Sequence, residues 1–184
     1  MTISVRFAGM GGQGIIFSGI ALARGVSLYE KRGGKELYAI QTQSYGPEAR
    51  GGSSKCDVKI SESENFYPFV EIPDYLILMS QPAYERFIDV TNEDTVVVLD
   101  EDAVESRPDI RYYDIAATRK AEEMGKRIVA NVVMLGAFVE ISGIVSKRSI
   151  LKALCDVAPK GTEPLNKKAF ELGTALGKDA INAD

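Results

Sequence analysis

The sequence predicts an open, mostly parallel α/β sheet with helices on both faces and a helical C-terminal region. Short apolar segments typical of strands alternate with segments of helical periodicity over the first two thirds of the chain. A glycine-rich turn follows the first strand, where such a sheet turns into a helix. From residue 118 onward the pattern is helical. We expect the 184 residues to form one domain, spanning 1–184.

The first third of the chain predicts a strand, a turn, a helix and a second strand. Residues 4–8 form the first strand, and 15–30 form a helix whose apolar side chains recur every three to four positions. Gly33 and Gly34 are expected to end this helix. Residues 37–42 then form the second strand.

Four more strands are predicted in the middle of the chain. Residues 55–60 alternate between polar and apolar side chains, which predicts a half-exposed strand. Residues 75–79 and 95–99 are almost continuously apolar, as in parallel strands buried on both faces. A short helix over 82–90 separates these two strands, and 111–115 is the last strand.

The C-terminal third predicts helices that cover the sheet. Residues 130–141 are apolar almost all round, which indicates a buried helix. Residues 149–157 are amphipathic, and 166–181 form a last helix. These helices complete an open sheet with a helical end.

Residues 9–14 (GMGGQG) match the pattern G-x-G-x-x-G between a strand and a helix. Amides at the start of such a helix carry partial positive charge and suit a phosphate or carboxylate. A nicotinamide or flavin site would also need an acid at the end of the second strand, where residues 40–44 read IQTQS. A Walker loop would need a lysine where Ile15 stands. The turn therefore predicts another phosphate-bearing ligand, or glycines that only pack the helix on the sheet.

A second loop, residues 44–53 (SYGPEARGGS), follows the second strand and is expected at the same sheet edge. Its Gly-Pro pair sets a rigid turn, and Gly51 and Gly52 can open backbone amides to an anion. Arg50 offers a guanidinium fork for phosphate or carboxylate. The alternative is a solvated loop in which Arg50 pairs with Glu48.

The composition argues against several functions. A net charge of −4 disfavours nucleic acid as the main partner. Two cysteines are too few for an iron–sulfur cluster, which usually takes four thiolates. The absence of histidine removes the nucleophile schemes that depend on it and leaves a zinc site short of ligands. We see no signal peptide and no apolar stretch near the roughly 20 residues of a membrane span, so we expect a cytoplasmic protein.

Residues 9–14 together with 45–52 (YGPEARGG) resemble the gamma subunits of the pyruvate, 2-oxoglutarate and 2-oxoisovalerate ferredoxin oxidoreductases. Residues 130–137 (ANVVMLGA) are similar to the buried helix after the sheet in that family. The length and strand order also match, so the resemblance covers nearly the whole chain. It implies a Rossmann-like fold and a non-catalytic gamma subunit that works only within a larger complex.

The resemblance also implies partners and cofactors. Family members assemble with an alpha subunit, a beta subunit that binds thiamine diphosphate, and often a small ferredoxin-like delta subunit. The complex oxidatively decarboxylates a 2-oxoacid, here expected to be 2-oxoglutarate or pyruvate, forms an acyl-CoA and reduces ferredoxin or flavodoxin. This chain lacks the Asp-Gly dipeptide of thiamine diphosphate sites. Thiamine diphosphate, Mg and iron–sulfur clusters are therefore expected in partner subunits.

In related single-chain pyruvate enzymes, the matching domain resembles a lid that contacts coenzyme A, so we expect this chain to supply part of that site. We expect no catalytic residue and no metal ligand here. The expected coenzyme A contacts are Gly9, Gly11, Gly12, Gln13, Gly14, Tyr45, Arg50, Gly51, Gly52 and Asn131. For Asn131 the alternative is a helix N-cap. For the whole chain the alternatives are a stand-alone dinucleotide-binding oxidoreductase and a purely structural subunit.

Overall fold

The computed structural model describes residues 2–45, 52–64 and 66–183. Its strands are β1 (Thr2–Met10), β2 (Lys31–Arg32), β3 (Lys35–Glu36), β4 (Tyr38–Tyr45), β5 (Ser53–Ser61), β6 (Tyr75–Leu78), β7 (Val96–Asp100) and β8 (Tyr112–Ile115). Its α-helices are α1 (Ile15–Arg24), α2 (Gln81–Phe87), α3 (Ala117–Glu123), α4 (Ala130–Ser142), α5 (Lys147–Val157) and α6 (Glu163–Ala183). Single π-helical or 3-10 turns cover Gly25–Tyr29, Ile88–Val90 and Arg127–Val129.

The main sheet has six strands in the order β4-β5-β1-β6-β7-β8. Strands β1, β6, β7 and β8 are parallel to one another, and β5 is antiparallel to both of its neighbours. Because β4 is antiparallel to β5, it runs in the same direction as β1 and ends at the same edge. The predicted open, mostly parallel sheet is confirmed.

Helices cover both faces of this sheet, because the side chains of each strand alternate between two cores. On one face α1 and α4 lie against the strands, with α3, α5 and α6 around them. The ring of Phe138 in α4 contacts the ring of Phe7 in β1, with centroids 5.7 Å apart, and that of Tyr75 in β6, at 5.4 Å. On the other face Leu76 and Leu78 pack against α2.

The predicted half-exposed character of strand 55–60 is only partly confirmed: on the face opposite α1, Lys55 and Lys59 are partly exposed, but Asp57 between them is buried. Cys56 and Val58 lie in the core under α1, as the alternation implied. On the opposite face Asp57 is buried too, with its carboxylate 2.7 Å from the guanidinium of Arg6. A charged pair buried inside a sheet gives the same alternating pattern as solvent exposure, so the pattern alone misleads here.

The predicted helix over 15–30 is confirmed in extent but not in regularity. The α-helix runs to Arg24 and continues as a π-helical turn over Gly25–Tyr29. Gly33 and Gly34 do not end the helix; they form the turn of the small hairpin between β2 and β3.

The helices α4 and α6 pack closely through glycines. A Cβ atom at Gly173 would overlap the carbonyl oxygen of Val133 and lie 2.8 Å from its carbonyl carbon. A Cβ at Gly136 would overlap the carbonyl oxygen of Phe170. Only glycine lets the two backbones approach this closely, so these positions fix the spacing between the helices.

Candidate functional site

The glycine turn and the second loop meet at the carboxyl edge of the sheet. Strand β1 pairs with β5 up to Met10 and Ser53, and the backbone N–H of Gly11 donates to the carbonyl of Gly52 at 3.3 Å. The predicted common edge of the two segments is therefore confirmed. A direct backbone hydrogen bond joins two of the expected coenzyme A contacts.

The structure describes the second loop only at its two ends. Tyr45 is the last residue of β4, where it pairs with Ser54, and Gly52 leads into β5. Arg50 and Gly51 lie outside the described residues. Their contacts to coenzyme A therefore stay predictions.

Gly14, the last residue of the glycine turn, is needed for two internal reasons. It has φ of +80°, in the left-handed region that favours glycine, and it precedes the first turn of α1. A Cβ at this position would also overlap the side-chain amide of Asn131. That amide donates to the Gly14 carbonyl at 3.0 Å. Gly14 therefore leaves room for the Asn131 amide, which links the turn to α4.

Gly11 differs from Gly14, because nothing within the described residues requires a glycine there. Its φ is not positive, and no atom of the described residues lies within 4 Å of where a Cβ would be. Gly11 and Gly12 are both exposed. An exposed stretch of backbone with no side chain lets an outside molecule approach closely.

Asn131 does not cap a helix, so that alternative is wrong. It is the second residue of α4, after Ala130, and the N-cap position is held by Val129. The residue is 5% exposed, its side-chain amide donates to the Gly14 carbonyl, and its own carbonyl accepts a hydrogen bond from the hydroxyl of Ser18 at 3.2 Å. Asn131 therefore ties α4 to the start of α1.

Two adjoining pockets border the glycine turn, and Ile128, which is 61% exposed, separates them. The turn pocket has a volume of about 200 Å³ and is lined by Gly12, Gln13, Met79, Thr118, Arg127, Ile128 and Ala130. The larger α6 pocket has about 290 Å³ and is lined by Gly14, Phe17, Ile128, Val129, Asn131, Pro159, Thr162, Leu165 and Asn166. The glycine turn is thus open to a ligand on the side facing α3 and α6.

The turn pocket has a cation in its wall and a buried carboxylate behind it. The exposed guanidinium of Arg127 lies 3.1 Å from the carboxylate of Glu122. Behind the wall, the hydroxyl of Thr118 donates to Asp100 at 2.5 Å, and its N–H donates at 3.2 Å. Burial raises the pKa of the Asp100 carboxyl, and these two bonds partly offset that rise. Asp100 therefore holds the start of α3 in place.

Four residues of the turn pocket carry no sequence motif: Met79, Thr118, Arg127 and Ile128. The position of Met79 follows from the pattern, because it ends the predicted strand 75–79, and parallel strands end at one edge. The other three come from a connection and a helix start in the C-terminal region. No local signal places them beside residues 9–14.

The sheet order also argues against a classical dinucleotide site. In such a site the strand after the first helix lies directly beside the first strand and ends in an acidic residue. Here β5 lies between β4 and β1, and β4 ends in Gln43, Ser44 and Tyr45.

A cleft of about 220 Å³ lies between the amino ends of β7 and β8, but sheets of this kind bind ligands at the carboxyl ends of their strands.

Within residues 2–45, 52–64 and 66–183, no three histidine, cysteine, aspartate or glutamate side chains are placed to hold a metal ion. No helix in these ranges is long and apolar enough to cross a membrane. The two cysteines lie on different elements, Cys56 in β5 and Cys155 in α5. Burial raises the pKa of the Cys56 thiol to about 11, which keeps it protonated and unreactive.

Residues 4–176 match the pyruvate ferredoxin/flavodoxin oxidoreductase family. The chain belongs to this family. It is similar to the 2-oxoglutarate synthase subunit KorC of Methanocaldococcus jannaschii, with 46% identity over 184 residues, 97% of this chain and 96% of that protein.

Two solved structures place the fold within the same family. The gamma subunit of a keto/oxoacid ferredoxin oxidoreductase from Geobacter sulfurreducens is 35% identical, covers 98% of both chains and has a TM-score of 0.84. The 2-oxoglutarate:ferredoxin oxidoreductase of Magnetococcus marinus, with 2-oxoglutarate, coenzyme A and succinyl-CoA bound, is 26% identical, with a TM-score of 0.79. It covers 97% of this chain but only 31% of that chain, so there the same fold is part of a longer polypeptide.

Proposed function

We propose that this chain is the gamma subunit of a 2-oxoacid:ferredoxin oxidoreductase and supplies part of its coenzyme A site. The complex converts a 2-oxoacid, coenzyme A and an oxidised acceptor into an acyl-CoA, carbon dioxide and the reduced acceptor. The observation that carries the proposal is the hydrogen bond between Gly11 and Gly52. It joins the glycine turn to Gly52, the described end of the second loop, at the edge where such sheets bind ligands.

The chemistry of this edge suits the phosphates of coenzyme A, which carries a diphosphate and a 3′-phosphate. The backbone N–H groups of Gly12 and Gly14 have no acceptor among the residues that the structure describes. They precede the positive end of α1. Arg127 adds a cation on one side, and Arg50 would add a second from the other loop. The apolar wall of the α6 pocket suits less polar parts of the same molecule.

The residues of this chain do not suit the redox cofactors of the reaction. A cluster needs four thiolates, and Cys56 and Cys155 lie on separate elements. We therefore place the thiamine diphosphate, its Mg and the iron–sulfur clusters in alpha, beta and ferredoxin-like delta subunits. We propose 2-oxoglutarate as the substrate, from the likeness to the KorC subunits. We expect ferredoxin or flavodoxin as the acceptor and a cytoplasmic location.

The first experiment is a native pull-down of this chain from its own cells, followed by mass spectrometry and a 2-oxoacid assay. Co-purification of larger chains with thiamine- and coenzyme A-dependent oxidation of 2-oxoglutarate is the expected result. A lone chain that carries a bound nicotinamide or flavin would overturn the proposal in favour of a stand-alone dinucleotide enzyme.

A second experiment tests the coenzyme A site with Arg50→Ala in the intact complex. We expect the KM for coenzyme A to rise by about 5- to 150-fold, which corresponds to roughly 1–3 kcal/mol for a lost charged hydrogen bond. The matched control is Arg148→Ala, which removes an exposed arginine from α5. If both variants keep the wild-type KM, the assignment of Arg50 to the coenzyme A site is wrong; a purely structural subunit would leave the KM unchanged in every loop variant.

A further inference from the structure

The side chain of Gln13 bridges the ends of two neighbouring strands. Its Oε1 accepts the backbone N–H of Met10, the last residue of β1, at 2.6 Å. Its Nε2 donates to the carbonyl of Met79, just after β6, at 2.8 Å. The oxygen and the nitrogen of the amide are therefore both hydrogen-bonded, and the side chain connects the carboxyl ends of β1 and β6. The next helices, α1 and α2, lie on opposite faces of the sheet there.

The glycine turn is therefore held on both of its flanks. On one side Gln13 connects it to the end of β6. On the other side the N–H of Gly11 connects it to Gly52, beside β5. The N–H of Gln13 also donates to the carbonyl of Met10 at 3.1 Å, which closes the turn itself. With these groups engaged, Gly12 is the exposed centre of the turn.

Gly9 is explained by the same bridge. A Cβ at this position would lie 2.5 Å from Oε1 of Gln13 and 2.7 Å from a methyl group of Ile15. The glycine therefore makes room for the glutamine amide rather than for a ligand. Gly9 and Gln13 were expected to contact coenzyme A directly, and the geometry gives both of them an internal role.

We infer that Gln13 is a positioning residue for the glycine turn, and this rests on the proposed coenzyme A site. Its amide holds the turn at a fixed distance from the end of β6 and so fixes the width of the turn pocket. Few side chains can replace it. Glutamate of the same length has no donor for Met79 when ionised, and asparagine is one methylene shorter.

The test compares Gln13→Met and Gln13→Glu in the intact complex. Methionine keeps the length and much of the volume of glutamine but loses both hydrogen bonds, whereas glutamate keeps the acceptor for Met10. We expect the KM for coenzyme A to rise about tenfold with methionine, the scale of one or two net hydrogen bonds, and at least as much with glutamate, whose carboxylate faces the Met79 carbonyl and repels the phosphates. The kcat at saturating coenzyme A should stay close to wild type. The hydrogen exchange of residues 10–14 should accelerate in both variants.

The matched control is Gln81→Met. The Oε1 of Gln81 also accepts a backbone N–H at 2.8 Å, from Glu105, but it belongs to α2 on the other face of the sheet. Its loss should leave both the KM for coenzyme A and the exchange of residues 10–14 unchanged. If the control raises the KM as much as Gln13→Met does, the effect is not specific to the bridge and the inference is wrong.

The outcomes separate this inference from the proposed function. If Gln13→Met leaves the KM for coenzyme A unchanged while Arg50→Ala raises it, the inference is wrong and the proposed site stands. If neither substitution changes the KM, the proposed site fails and the inference fails with it. A fall in kcat at unchanged KM and unchanged exchange would also overturn the positioning role.

Discussion

Two clusters of glycines in this chain differ in what makes glycine necessary there. In the pair of helices α4 and α6, a side chain at Gly136, Gly173 or Gly177 would meet backbone atoms of the facing helix. Among the described residues, a Cβ in the turn after β1 would meet only the side chain of Asn131 at Gly14, and no atom within 4 Å at Gly11. The first cluster is fully explained by the chain itself, whereas the second is explained only in part.

This difference shows how a structural glycine can be told from one that faces an outside molecule. A glycine that its own fold requires has another atom of the chain where its Cβ would lie, or a positive φ. Within the part of the chain that the structure describes, Gly11 has neither, and it is exposed. It therefore points to a contact with a group outside the described residues. Substitutions in the two clusters should differ in size and in what they change.

The largest effect is expected for Gly173→Ala. In an open helix this change would stabilise the chain by roughly 0.5–1 kcal/mol, because alanine is the better helix former. Here the added methyl would push against the backbone of Val133, which cannot rotate away. We expect the free energy of unfolding to fall by about 3 kcal/mol, at the upper end of overpacking costs. Chemical denaturation measures this change.

The control for that substitution is Lys178→Ala, an exposed position on the same helix. It should change the free energy of unfolding by less than about 0.5 kcal/mol, as surface substitutions usually do. Equal stability of Gly173→Ala and wild type would mean that α4 and α6 can move apart without loss, and the close packing would then not be needed.

A smaller effect is expected for Gly14→Ala. The left-handed φ of +80° costs roughly 1–2 kcal/mol for alanine, and the overlap with Asn131 adds to it. Because the obstacle is a side chain, Asn131→Ala should relieve the overlap but not the backbone strain. A double-mutant cycle measured by denaturation separates the two costs. Strictly additive losses would show that the two residues do not oppose each other.

Much of the fold follows from the sequence because its signals are local. The apolar runs 75–79 and 95–99 match β6 and β7, and the all-round apolar segment 130–141 matches α4. The position of β5 between β1 and β4 is not local information. It follows from the antiparallel pairing of β5 with both β1 and β4, and because Asp57 is buried in an ion pair with Arg6, the strand has the sequence pattern of a half-exposed one.

The candidate site, too, is predictable from the sequence only in part. The turn at 9–14 and its meeting with Gly52 follow from motif and strand direction. The roles of Gly9 and Gln13 could not be predicted, because a motif does not say whether a side chain faces a ligand or its own backbone. Arg127 could not be predicted either, since more than a hundred residues of chain separate it from the turn.

The rate at which a thiol reagent labels Cys56 reports smaller changes in stability caused by substitutions in the glycine turn. Cys56 lies under α1, where a Cβ at Gly19 would overlap its sulfur. With a pKa of about 11, only about one thiol in a thousand is ionised at pH 8. We expect a thiol reagent to label one cysteine of the folded chain, the exposed Cys155, and both cysteines after denaturation. In Gly14→Ala, Cys56 should react about tenfold faster for each 1.4 kcal/mol by which opening becomes easier.

The smallest effect on stability, and the most informative one, is expected for Gly11→Ala. No atom of residues 2–45, 52–64 or 66–183 lies within 4 Å of the added methyl, and φ is not positive, so the free energy of unfolding should stay the same or rise by up to about 1 kcal/mol. Labelling of Cys56 should match wild type. The KM for coenzyme A should nevertheless rise, because the methyl stands where the ligand approaches the backbone.

Steady-state kinetics of the intact complex, together with denaturation of the isolated chain, measure both quantities. A stable variant with a wild-type KM would mean that no ligand approaches this glycine closely, and the contrast between the two clusters would then be one of packing alone.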